Sequence, residues 1–374
     1  MARLIAFDMP ASQTFVDLVR RTWSNGDAVL PIDQRLQPDG KKLLIEAMAP
    51  SEVIDASFTS TSLTNGIPMQ DGDALVIASS GSTGDPKGIE HTHSSLLAGA
   101  RSSAKRIELT PSDHWLVCIP VSHVGGFSVI SRALHVGSAL TLHSTFDAAS
   151  VQESARNGVT HTSLVATALS RIDASLFQTI LLGGSSAPDN LPDNVVTTYG
   201  MTETGGGVVY DGMPLDDVEI KILDNEIQLR CPMLMRTYRD EHTIPFNDGW
   251  YATGDMGELD VNGKLSVFGR RSDMIITGGE NVWPAVVENA LISHPNIAQS
   301  VVRGTPDATW GQRVVAYVVL KDPIRASDAA LLSEIREHVK HTLPAFCAPQ
   351  QIVVLADLPR TSLGKIDLLE LPSP

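Results

Sequence analysis

Cysteine, positive charge and long apolar runs are all scarce in this chain of 374 residues. The three cysteines, Cys118, Cys231 and Cys347, are far apart and odd in number, which predicts neither a disulfide framework nor a zinc site and fits a reducing cytoplasm. Lysine and arginine total 28 against 43 acidic residues, so we expect no binding to nucleic acid and no attraction to anionic membranes. No run approaches the ~18 apolar residues of a membrane span, and the apolar stretch at the N-terminus is too short for a signal peptide. A cytoplasmic protein without membrane insertion is expected.

The length and the pattern of apolar runs predict an α/β protein with two domains. Between residues 74 and 157, strand-like runs alternate with helix-length segments, which is typical of parallel strands under crossover helices. After residue 207, short β-like runs separated by Asp-Asn, Asp-Gly and Asn-Gly turns predict a β subdomain. We place the domain boundary at Gly269-Arg270, which gives a large domain of residues 1–269 and a small α+β domain of residues 270–374.

The predicted elements can be stated individually. Helices are predicted at residues 14–22, 41–48, 93–105, 125–136, 147–157, 284–293 and 327–341. Strands are predicted near 27–31 and at 74–78, 115–119, 139–142, 218–222, 226–230, 257–260, 264–268, 299–303, 313–320 and 351–355.

The most informative stretch is Ser79–Gly88, which reads Ser-Ser-Gly-Ser-Thr-Gly-Asp-Pro-Lys-Gly and follows the apolar run Ala74–Ala78. Glycines let backbone N–H groups approach an anion, hydroxyl groups donate to phosphate oxygens, and Lys87 adds a positive charge. The spacing is not that of a Walker A loop, because Lys87 is preceded by Pro86 and followed by Gly88. The composition therefore indicates either a different phosphate-binding loop or an ordinary surface loop.

Four further motifs follow in order, and with this loop they resemble the signatures of the adenylate-forming superfamily, which includes acyl-CoA synthetases, luciferases and peptide-synthetase adenylation domains. Tyr199–Thr204 is similar to the YGxTE motif, and Tyr251–Asp255 to the YxTGD motif. Gly269-Arg270 resembles the hinge motif, and Gly364-Lys365 the motif of the catalytic lysine. The resemblance spans residues 79–365 and implies that the small C-terminal domain is mobile and swings between two half-reactions.

Activating a carboxylate with ATP brings two anions together, so cations and oriented N–H groups must offset their repulsion. The resemblance implies that Glu203 binds Mg2+, that Thr202 contacts the α-phosphate and that Lys365 is the catalytic lysine. It also implies that Asp255 accepts both ribose hydroxyls and that Arg270 reaches the ribose or a phosphate. The implied nucleotide-binding residues are Ser79, Ser80, Ser82, Thr83, Gly84, Lys87, Gly184, Ser185, Ser186, Tyr199, Gly200, Thr202, Asp255 and Arg270.

Each of these residues also has an ordinary interpretation when it is taken alone. Glu203 is then a solvated acid in a glycine-rich turn, Asp255 an Asx-turn residue, and Arg270 and Lys365 surface cations. One departure from the family pattern follows the lysine, because Asp367 stands where relatives often have a basic residue. This departure questions the contacts of the residues that follow Lys365, and it does not change the assignment of Lys365 as the catalytic lysine.

The segment around His123 resembles the PxxHxxG motif beside the acyl pocket of CoA ligases, and Arg132 follows nine residues later. In o-succinylbenzoate–CoA ligases an arginine at this offset is associated with a substrate carboxylate, which needs a cation if it is buried. The resemblance therefore implies that His123, Gly125 and Arg132 bind the acid. Two alternatives stay open, an exposed helix face for Arg132 and a packed position at a strand end for His123.

Gly278, Gly279 and Glu280 resemble the segment that lines the CoA tunnel of acyl-CoA synthetases. The short segment before Ser79, which includes Gly26–Asp33, resembles that of compact actinobacterial o-succinylbenzoate ligases. Longer relatives have additional residues in this region, and a subunit contact in a homo-oligomer could replace them. The resemblance implies a Mg2+-dependent ligase of menaquinone biosynthesis that uses an aromatic carboxylic acid, ATP and CoA. Alternatives are a ligase for another aromatic or short-chain acid and a silent nucleotide-binding regulator; Lys87, Glu203, Asp255 and Lys365 together argue against the regulator.

Overall fold

The computed structural model describes residues 1–80, 86–184, 190–239, 246–322, 328–359, 366–368 and 370–374, without the side chain of Ser80. It divides into two compact units. The first comprises Met1–Ile220 and Leu229–Tyr251, and the second comprises Lys221–Gln228 and Ala252–Pro374. The predicted boundary at Gly269-Arg270 stays a prediction. Within the described ranges, no helix has both the length and the apolar character needed to cross a membrane.

The helices and strands are as follows. The helices are α1 (Gln13–Ser24), α2 (Pro38–Met48), α3 (His93–Arg106), α4 (Val124–Val136), α5 (Ala148–Arg156), α6 (Ala166–Leu169), α7 (Pro284–Ile292) and α8 (Ala329–Thr342). The first twelve strands are β1 (Leu4–Asp8), β2 (Ala28–Pro31), β3 (Glu52–Asp55), β4 (Ser60–Ser62), β5 (Asp73–Ser80), β6 (Pro86–Thr92), β7 (His114–Val117), β8 (Ala139–Leu142), β9 (His161–Leu164), β10 (Thr179–Leu182), β11 (Val195–Met201) and β12 (Gly206–Tyr210). The others are β13 (Met213–Pro214), β14 (Glu219–Leu223), β15 (Glu226–Arg230), β16 (Thr237–Tyr238), β17 (Phe246–Asn247), β18 (Trp250–Leu259), β19 (Leu265–Arg270), β20 (Ile275–Thr277), β21 (Glu280–Val282), β22 (Ile297–Asp307), β23 (Gly311–Leu320) and β24 (Gln351–Leu355).

Two seven-stranded sheets form the first unit, with strand orders β16-β6-β5-β2-β1-β3-β4 and β13-β12-β11-β10-β9-β7-β8. Strands β7 to β11 are parallel where they pair, and β2, β1 and β3 are parallel as well. Their buried faces form separate apolar cores, one against α2 and one against α5 and α6. Parallel strands with helices packed over their faces are the arrangement of an α/β protein, so the predicted α/β class is confirmed.

Helices α3 and α4 pack against each other and approach β12, so they carry side chains from one sheet toward the other. Helix α3 begins with a capping box, in which the Thr92 hydroxyl accepts from the Ser95 N–H and the Ser95 hydroxyl accepts from the Thr92 N–H. Helix α4 ends at Gly137, whose φ of 80° is a left-handed conformation that glycine adopts without strain.

A third sheet has the order β14-β15-β18-β17, with β19 beside β18, and forms the predicted β subdomain. The division between the units passes through β14, β15 and β18. The predicted turns are present, since Asp224 and Asn225 both have positive φ, as do Asp248 and Gly249.

The second unit also contains a sheet of order β21-β20-β23-β22, with β24 parallel to β23. Helices α7 and α8 contribute Val287, Leu291, Ile335 and Val339 to its buried core. This part has the α+β composition that was predicted for the C-terminal region.

Candidate active site

The two ends of the predicted phosphate loop lie in antiparallel strands. Strands β5 and β6 flank it, and Ser79 lies opposite Lys87 in their register. Strand β6 lies between the loop and α3, which begins at His93 as predicted and has its own side-chain cap. Strand β6 reads Pro-Lys-Gly-Ile-Glu-His-Thr and lacks the apolar pattern that sequence analysis uses to find strands. Ser82, Thr83 and Gly84 lie outside the described residues, as does the side chain of Ser80.

Lys87 and Glu203 are connected through one tyrosine, although they are far apart in sequence. The Lys87 Nζ lies 5.8 Å from the centroid of the Tyr238 ring, and the Tyr238 hydroxyl donates to Glu203 Oε1 at 3.1 Å. Tyr238 reaches this position because β16 pairs with β6, placing it opposite Ile89. The tertiary structure thus brings together the cation of the loop and the carboxylate of the YGxTE motif.

Strand β16 is fixed by a buried ion pair that sequence analysis did not identify. The Arg239 Nη1 donates to Glu90 Oε1 at 3.0 Å, and the two side chains are 2% and 8% exposed. Arg239 also donates to the carbonyls of Met48, Ala49 and Ile67. These bonds satisfy the buried guanidinium and hold β16 against β6.

The Thr202–Thr204 turn is held by a buried histidine of β6. His91 is fully buried, and its Nε2 lies 2.7 Å from the Thr202 carbonyl oxygen, which can only accept. Burial lowers the pKa of His91 to about 4, and the contact with the Thr202 carbonyl opposes this only in part. His91 is therefore neutral at physiological pH and carries its proton on Nε2.

Two further contacts shape the same turn. Buried Thr204 accepts from the Met201 N–H at 2.9 Å and its hydroxyl lies 2.7 Å from the Gly206 carbonyl oxygen. At Gly200 a Cβ atom would lie 2.0 Å from that same carbonyl oxygen, so only glycine fits. Tyr199 lies in β11, directly before a register shift that reorients the chain at Gly200.

Arg132 is buried, which contradicts the alternative of an exposed helix face. It is 4% exposed on α4, its guanidinium carbon lies 4.8 Å from the centroid of the Trp115 ring, and its Nη2 donates to Ser163 Oγ at 3.1 Å. Burial lowers the pKa of Arg132, while the nearby Tyr210 raises it. Among the described residues, Arg132 Nε has no hydrogen-bond partner. A buried cation with so little compensation is costly, and an anionic ligand would offset that cost.

A small cavity of about 20 Å3 lies beside Arg132. It is lined by α3, by Ser128 and Ser131 of α4, and by the segment Thr204–Gly207 that directly follows Glu203. The Ser131 hydroxyl is also buried without a partner among the described residues. Arg132 thus shares a cavity with the end of the YGxTE motif, and its role in binding the acid stays a prediction.

His123 lies at the other end of the same helix, about 13 Å from Arg132 along the helix axis. It is the N-cap residue of α4, and its side chain is 39% exposed, which does not fit the alternative of a packed position. Its neighbours are Arg35 and Asp33 from the N-terminal segment. A Cβ atom at Gly125 would lie 3.2 Å from the Ile119 side chain, whereas one at Gly126 would lie 2.3 Å from the Pro120 carbonyl oxygen, so Gly126 is the more restricted glycine.

In the second unit, the YxTGD and hinge motifs lie on adjacent strands. Asp255 of β18 is opposite Arg270 of β19, and Arg270 Nε lies 2.8 Å from Asp255 Oδ1. Arg270 also donates to the Thr253 carbonyl at 2.8 Å, and the Gly254 N–H donates to Glu226. The Asp255 side chain is 10% exposed and that of Arg270 is 51% exposed, so a ligand can reach the pair from the arginine side.

The predicted CoA segment is a tight hairpin between β20 and β21. Thr277 pairs with Glu280, and the two turn residues Gly278 and Gly279 have φ values of 60° and 88°. Both values require glycine in practice, and at Gly278 a Cβ atom would also lie 2.8 Å from the Trp310 ring. Glu280 is exposed at the end of this turn.

The predicted adenine segment begins at the end of β10. Gly184, with a φ of 96°, follows β10 and has the backbone conformation expected of a glycine at a strand end. Ser185, Ser186 and Lys365 lie outside the described residues. Their roles stay predictions.

Glu203 fits a magnesium ion that arrives with a nucleotide. Only its Oε1 has a hydrogen bond among the described residues, which leaves Oε2 available for a cation. The described residues contain no cluster of three or more His, Cys, Asp or Glu side chains that could hold a metal by themselves. Magnesium in nucleotide sites is bound by one or two carboxylates together with phosphate oxygens, which matches this arrangement.

The fold and these motifs define an ATP-using ligase that activates acids as adenylates. A model of the AMP-binding enzyme family matches residues 14–238, and a model of the AMP-binding enzyme C-terminal domain matches residues 286–365. The chain belongs to the AMP-binding enzyme family, and it is an AMP-forming acid–CoA ligase. The resemblance inferred from the motifs is thereby confirmed.

Two relatives share more than a third of the aligned positions. A 2-succinylbenzoate–CoA ligase of Bacillus licheniformis is 36% identical over 335 residues, covering 79% of this chain and 69% of the relative. A probable 2-succinylbenzoate–CoA ligase of Mycobacterium tuberculosis is 37% identical over 328 residues, covering 81% and 84%.

Solved structures of the o-succinylbenzoate CoA synthetase of Bacillus subtilis have the same fold. The complex with the acyl-adenylate intermediate superimposes with a TM-score of 0.85 at 28% identity, covering 99% of this chain and 88% of that one. The complex with ATP and a magnesium ion gives 0.84 at 28% identity, covering 97% and 88%.

Proposed function

We propose that this protein is the o-succinylbenzoate–CoA ligase of menaquinone biosynthesis, and that it uses Mg2+, ATP and CoA. The similarity to 2-succinylbenzoate–CoA ligases supports the substrate, and the buried Arg132 is the single observation in this chain that carries it. The acid has two carboxylates: one reacts with ATP, and the other needs a cation if it enters the protein.

The reaction has two steps, adenylation of the acid and transfer of the acyl group to CoA. In the first, an oxygen of the reacting carboxylate attacks the α-phosphorus of ATP, the bond between the α-phosphorus and the bridging oxygen breaks, and pyrophosphate leaves. In the second, the CoA thiolate attacks the carbonyl carbon of the acyl-adenylate, and AMP leaves. Because both partners of the first step are anions, positive charge close to the phosphates lowers its barrier.

The residues of the first unit divide this work. Lys87 and the hydroxyl groups of the predicted phosphate loop bind the outer phosphates, and Tyr238 holds Glu203 beside them. Magnesium, when it is bound, neutralises phosphate charge and orients the phosphates for in-line attack. His91 fixes the carbonyl of Thr202, so that the Thr202 side chain keeps a constant position toward the α-phosphate.

The residues of the second unit serve the ribose and the acceptor. Asp255 accepts from the ribose hydroxyls, with the Arg270 guanidinium beside it. Among the described residues, open space lies where a Gly279 Cβ would be, so the thin pantetheine arm can pass close to the backbone at this residue. Lys365 supplies the ammonium group for the adenylation step.

The cavity beside Arg132 must widen to admit the acid. A volume of about 20 Å3 is room for about one water molecule, and an aromatic acid needs more space than that. Its wall at Gly205–Gly207 consists of backbone alone, which the Thr204 hydroxyl and the pairing of β12 with β11 hold in place. The second carboxylate then replaces water at the guanidinium and accepts from Arg132 Nε.

Pyrophosphate release measured over a panel of acids, with and without CoA, tests this proposal. We expect turnover with o-succinylbenzoate, and we expect Arg132→Met to reduce kcat/KM for it about 100-fold, which corresponds to the loss of a buried charge-assisted pair of roughly 3 kcal/mol. Monocarboxylic analogues, which lack the second anion, should lose less than threefold. Thermal unfolding reports whether the variant still folds.

Arg171→Met is the matched control. Its guanidinium also lies over an aromatic ring, 5.1 Å from the centroid of Phe146, but the side chain is exposed. It should leave kcat/KM unchanged for every acid. Equal losses for mono- and dicarboxylic acids in Arg132→Met would instead favour a ligase for another aromatic or short-chain acid, and no turnover with any acid would favour the silent regulator.

The location and assembly of the protein are proposals as well. We place the reaction in the cytoplasm, where ATP and CoA are available, and the three free cysteines are consistent with that compartment. Homo-oligomerisation stays a prediction, which sedimentation of the purified chain would test.

A further inference from the structure

The N-terminal segment that resembles compact ligases has a second feature, which the proposed function does not use. Directly after β2, the chain places Asp33 and Arg35 beside His123, although 88 residues separate Arg35 from His123. Arg35 Nη2 lies 2.7 Å from His123 Nε2, and Asp33 Oδ2 lies 3.5 Å from the same nitrogen. The three side chains therefore form one cluster at the N-terminus of α4.

Asp33 anchors Arg35 in this cluster. Arg35 donates from Nε to Asp33 Oδ1 at 2.9 Å and from Nη2 to Oδ2 at 2.7 Å, and its backbone N–H donates to Oδ1 at 3.0 Å. The Asp33 side chain is 6% exposed; burial raises its pKa, but the hydrogen bonds from Arg35 and the contact with His123 together outweigh burial and hold the pKa well below its usual range. The bidentate geometry leaves the guanidinium little freedom to rotate.

The contact between Arg35 and His123 determines where the imidazole proton resides. A guanidinium can only donate, so the His123 Nε2 at 2.7 Å must be the acceptor. In the neutral ring, the proton is then on Nδ1. Without Arg35, the Asp33 carboxylate would be the nearest partner of Nε2 and would favour a proton there.

We propose that Asp33 and Arg35 are positioning residues that hold His123 in the Nδ1–H tautomer, so that Nδ1 donates to an oxygen of the acid or its adenylate. This inference rests on the proposed function, in which His123 contacts the acid. The positioning works through His123, because Arg35 itself points at the ring and is engaged with Asp33.

The tautomer can be read directly from the 15N chemical shifts of the histidine rings in the full-length protein. The chain has 11 histidines, and His123→Gln identifies the signal of His123. We expect a protonated Nδ1 in the unaltered protein and a protonated Nε2 in Arg35→Leu. If Arg35→Leu fails to fold, Asp33→Asn should produce a mixture of tautomers, since it releases the guanidinium. An unaltered protein with the proton on Nε2, or variants with an unchanged tautomer, would overturn the proposal.

Activity provides the second measurement. Arg35→Leu should lower kcat/KM for the acid about tenfold, the loss of one hydrogen bond to a charged group, while KM for ATP changes less than twofold. Arg35→Lys, which keeps a donor and the charge, should recover most of that loss. Arg3→Leu is the matched control, because Arg3 forms similar ion pairs with Asp27 and Glu52 in the same sheet.

The outcomes separate the two proposals. If o-succinylbenzoate is not a substrate, the ring shifts still test the tautomer, whereas an unchanged kcat/KM in His123→Gln removes His123 from the acid site. Equal losses in Arg35→Leu and Arg3→Leu would show that the Asp33–Arg35 pair stabilises the fold and does not position His123.

Discussion

The buried histidine His91 makes the stability of the first unit depend on pH. Its pKa is 6.5 in an unfolded chain and about 4 in the folded protein, because burial disfavours the charged form. The folded pKa is the lower one, so the contribution of His91 to stability is complete above pH 6.5 and is lost as the pH falls toward 4. Protonation would also remove the lone pair on Nδ1 and place an unpaired charge in the core.

The size of the effect follows from the two pKa values. Between about pH 7.5 and about pH 5, protonation of His91 in the unfolded chain lowers the free energy of unfolding by about 2 kcal/mol. His91→Gln cannot titrate, and its amide can still donate to the Thr202 carbonyl. Over this pH range, the free energy of unfolding of the variant should therefore fall by about 2 kcal/mol less than that of the unaltered protein.

Urea unfolding followed by tryptophan fluorescence at several pH values measures this difference. The other histidines are present in both proteins, so their titration cancels in the comparison. Between about pH 7.5 and about pH 9 the two curves should run parallel, because His91 is then neutral in both states. Curves that also run parallel down to pH 5 would refute the assigned neutral state of His91.

Two further predictions concern single positions. Gly200→Ala should lower the free energy of unfolding by about 3 kcal/mol, since its Cβ would lie 2.0 Å from the Gly206 carbonyl oxygen. The control Gly99→Ala, with its nearest contact at 3.7 Å in α3, should stabilise by up to about 1 kcal/mol; equal effects in urea unfolding would contradict the steric argument. In the second unit, burial raises the pKa of Glu288 to about 7, so its neutral form stabilises the fold at low pH and this stabilisation is lost as the pH rises from 4.5 through 7. Glu288→Gln should therefore be more stable than the unaltered protein at about pH 8, by about 1–2 kcal/mol, with no such gain at about pH 5; a gain that does not depend on pH would disprove the titration.

Local sequence patterns predicted the elements whose side chains alternate or recur regularly. Helix α3 was expected at residues 93–105 and lies at His93–Arg106, and β8 occupies the predicted residues 139–142. Strand β6 was not predicted from the sequence, because its pairing with β5 and β16 makes it a strand and its own apolar content does not. Its identity as a strand is a property of its neighbours.

The candidate site divides in the same way. The motifs alone indicated Lys87, Thr202 and Glu203, since their residue types and order carry the chemistry of adenylation. Tyr238 and His91 could not be identified from motifs, because neither belongs to one and each acts through a contact with a residue distant in sequence.

The sequence by itself determined the enzyme family, the order of its motifs and the residue types that are predicted to meet ATP and the acid. Only the tertiary structure decided that Arg132 is buried against Trp115, that Tyr238 lies between Lys87 and Glu203, and that Arg35 reaches His123. The physical reason is that a motif specifies the type and order of the reactive side chains. Burial and hydrogen bonding depend on which distant strands and helices pack together.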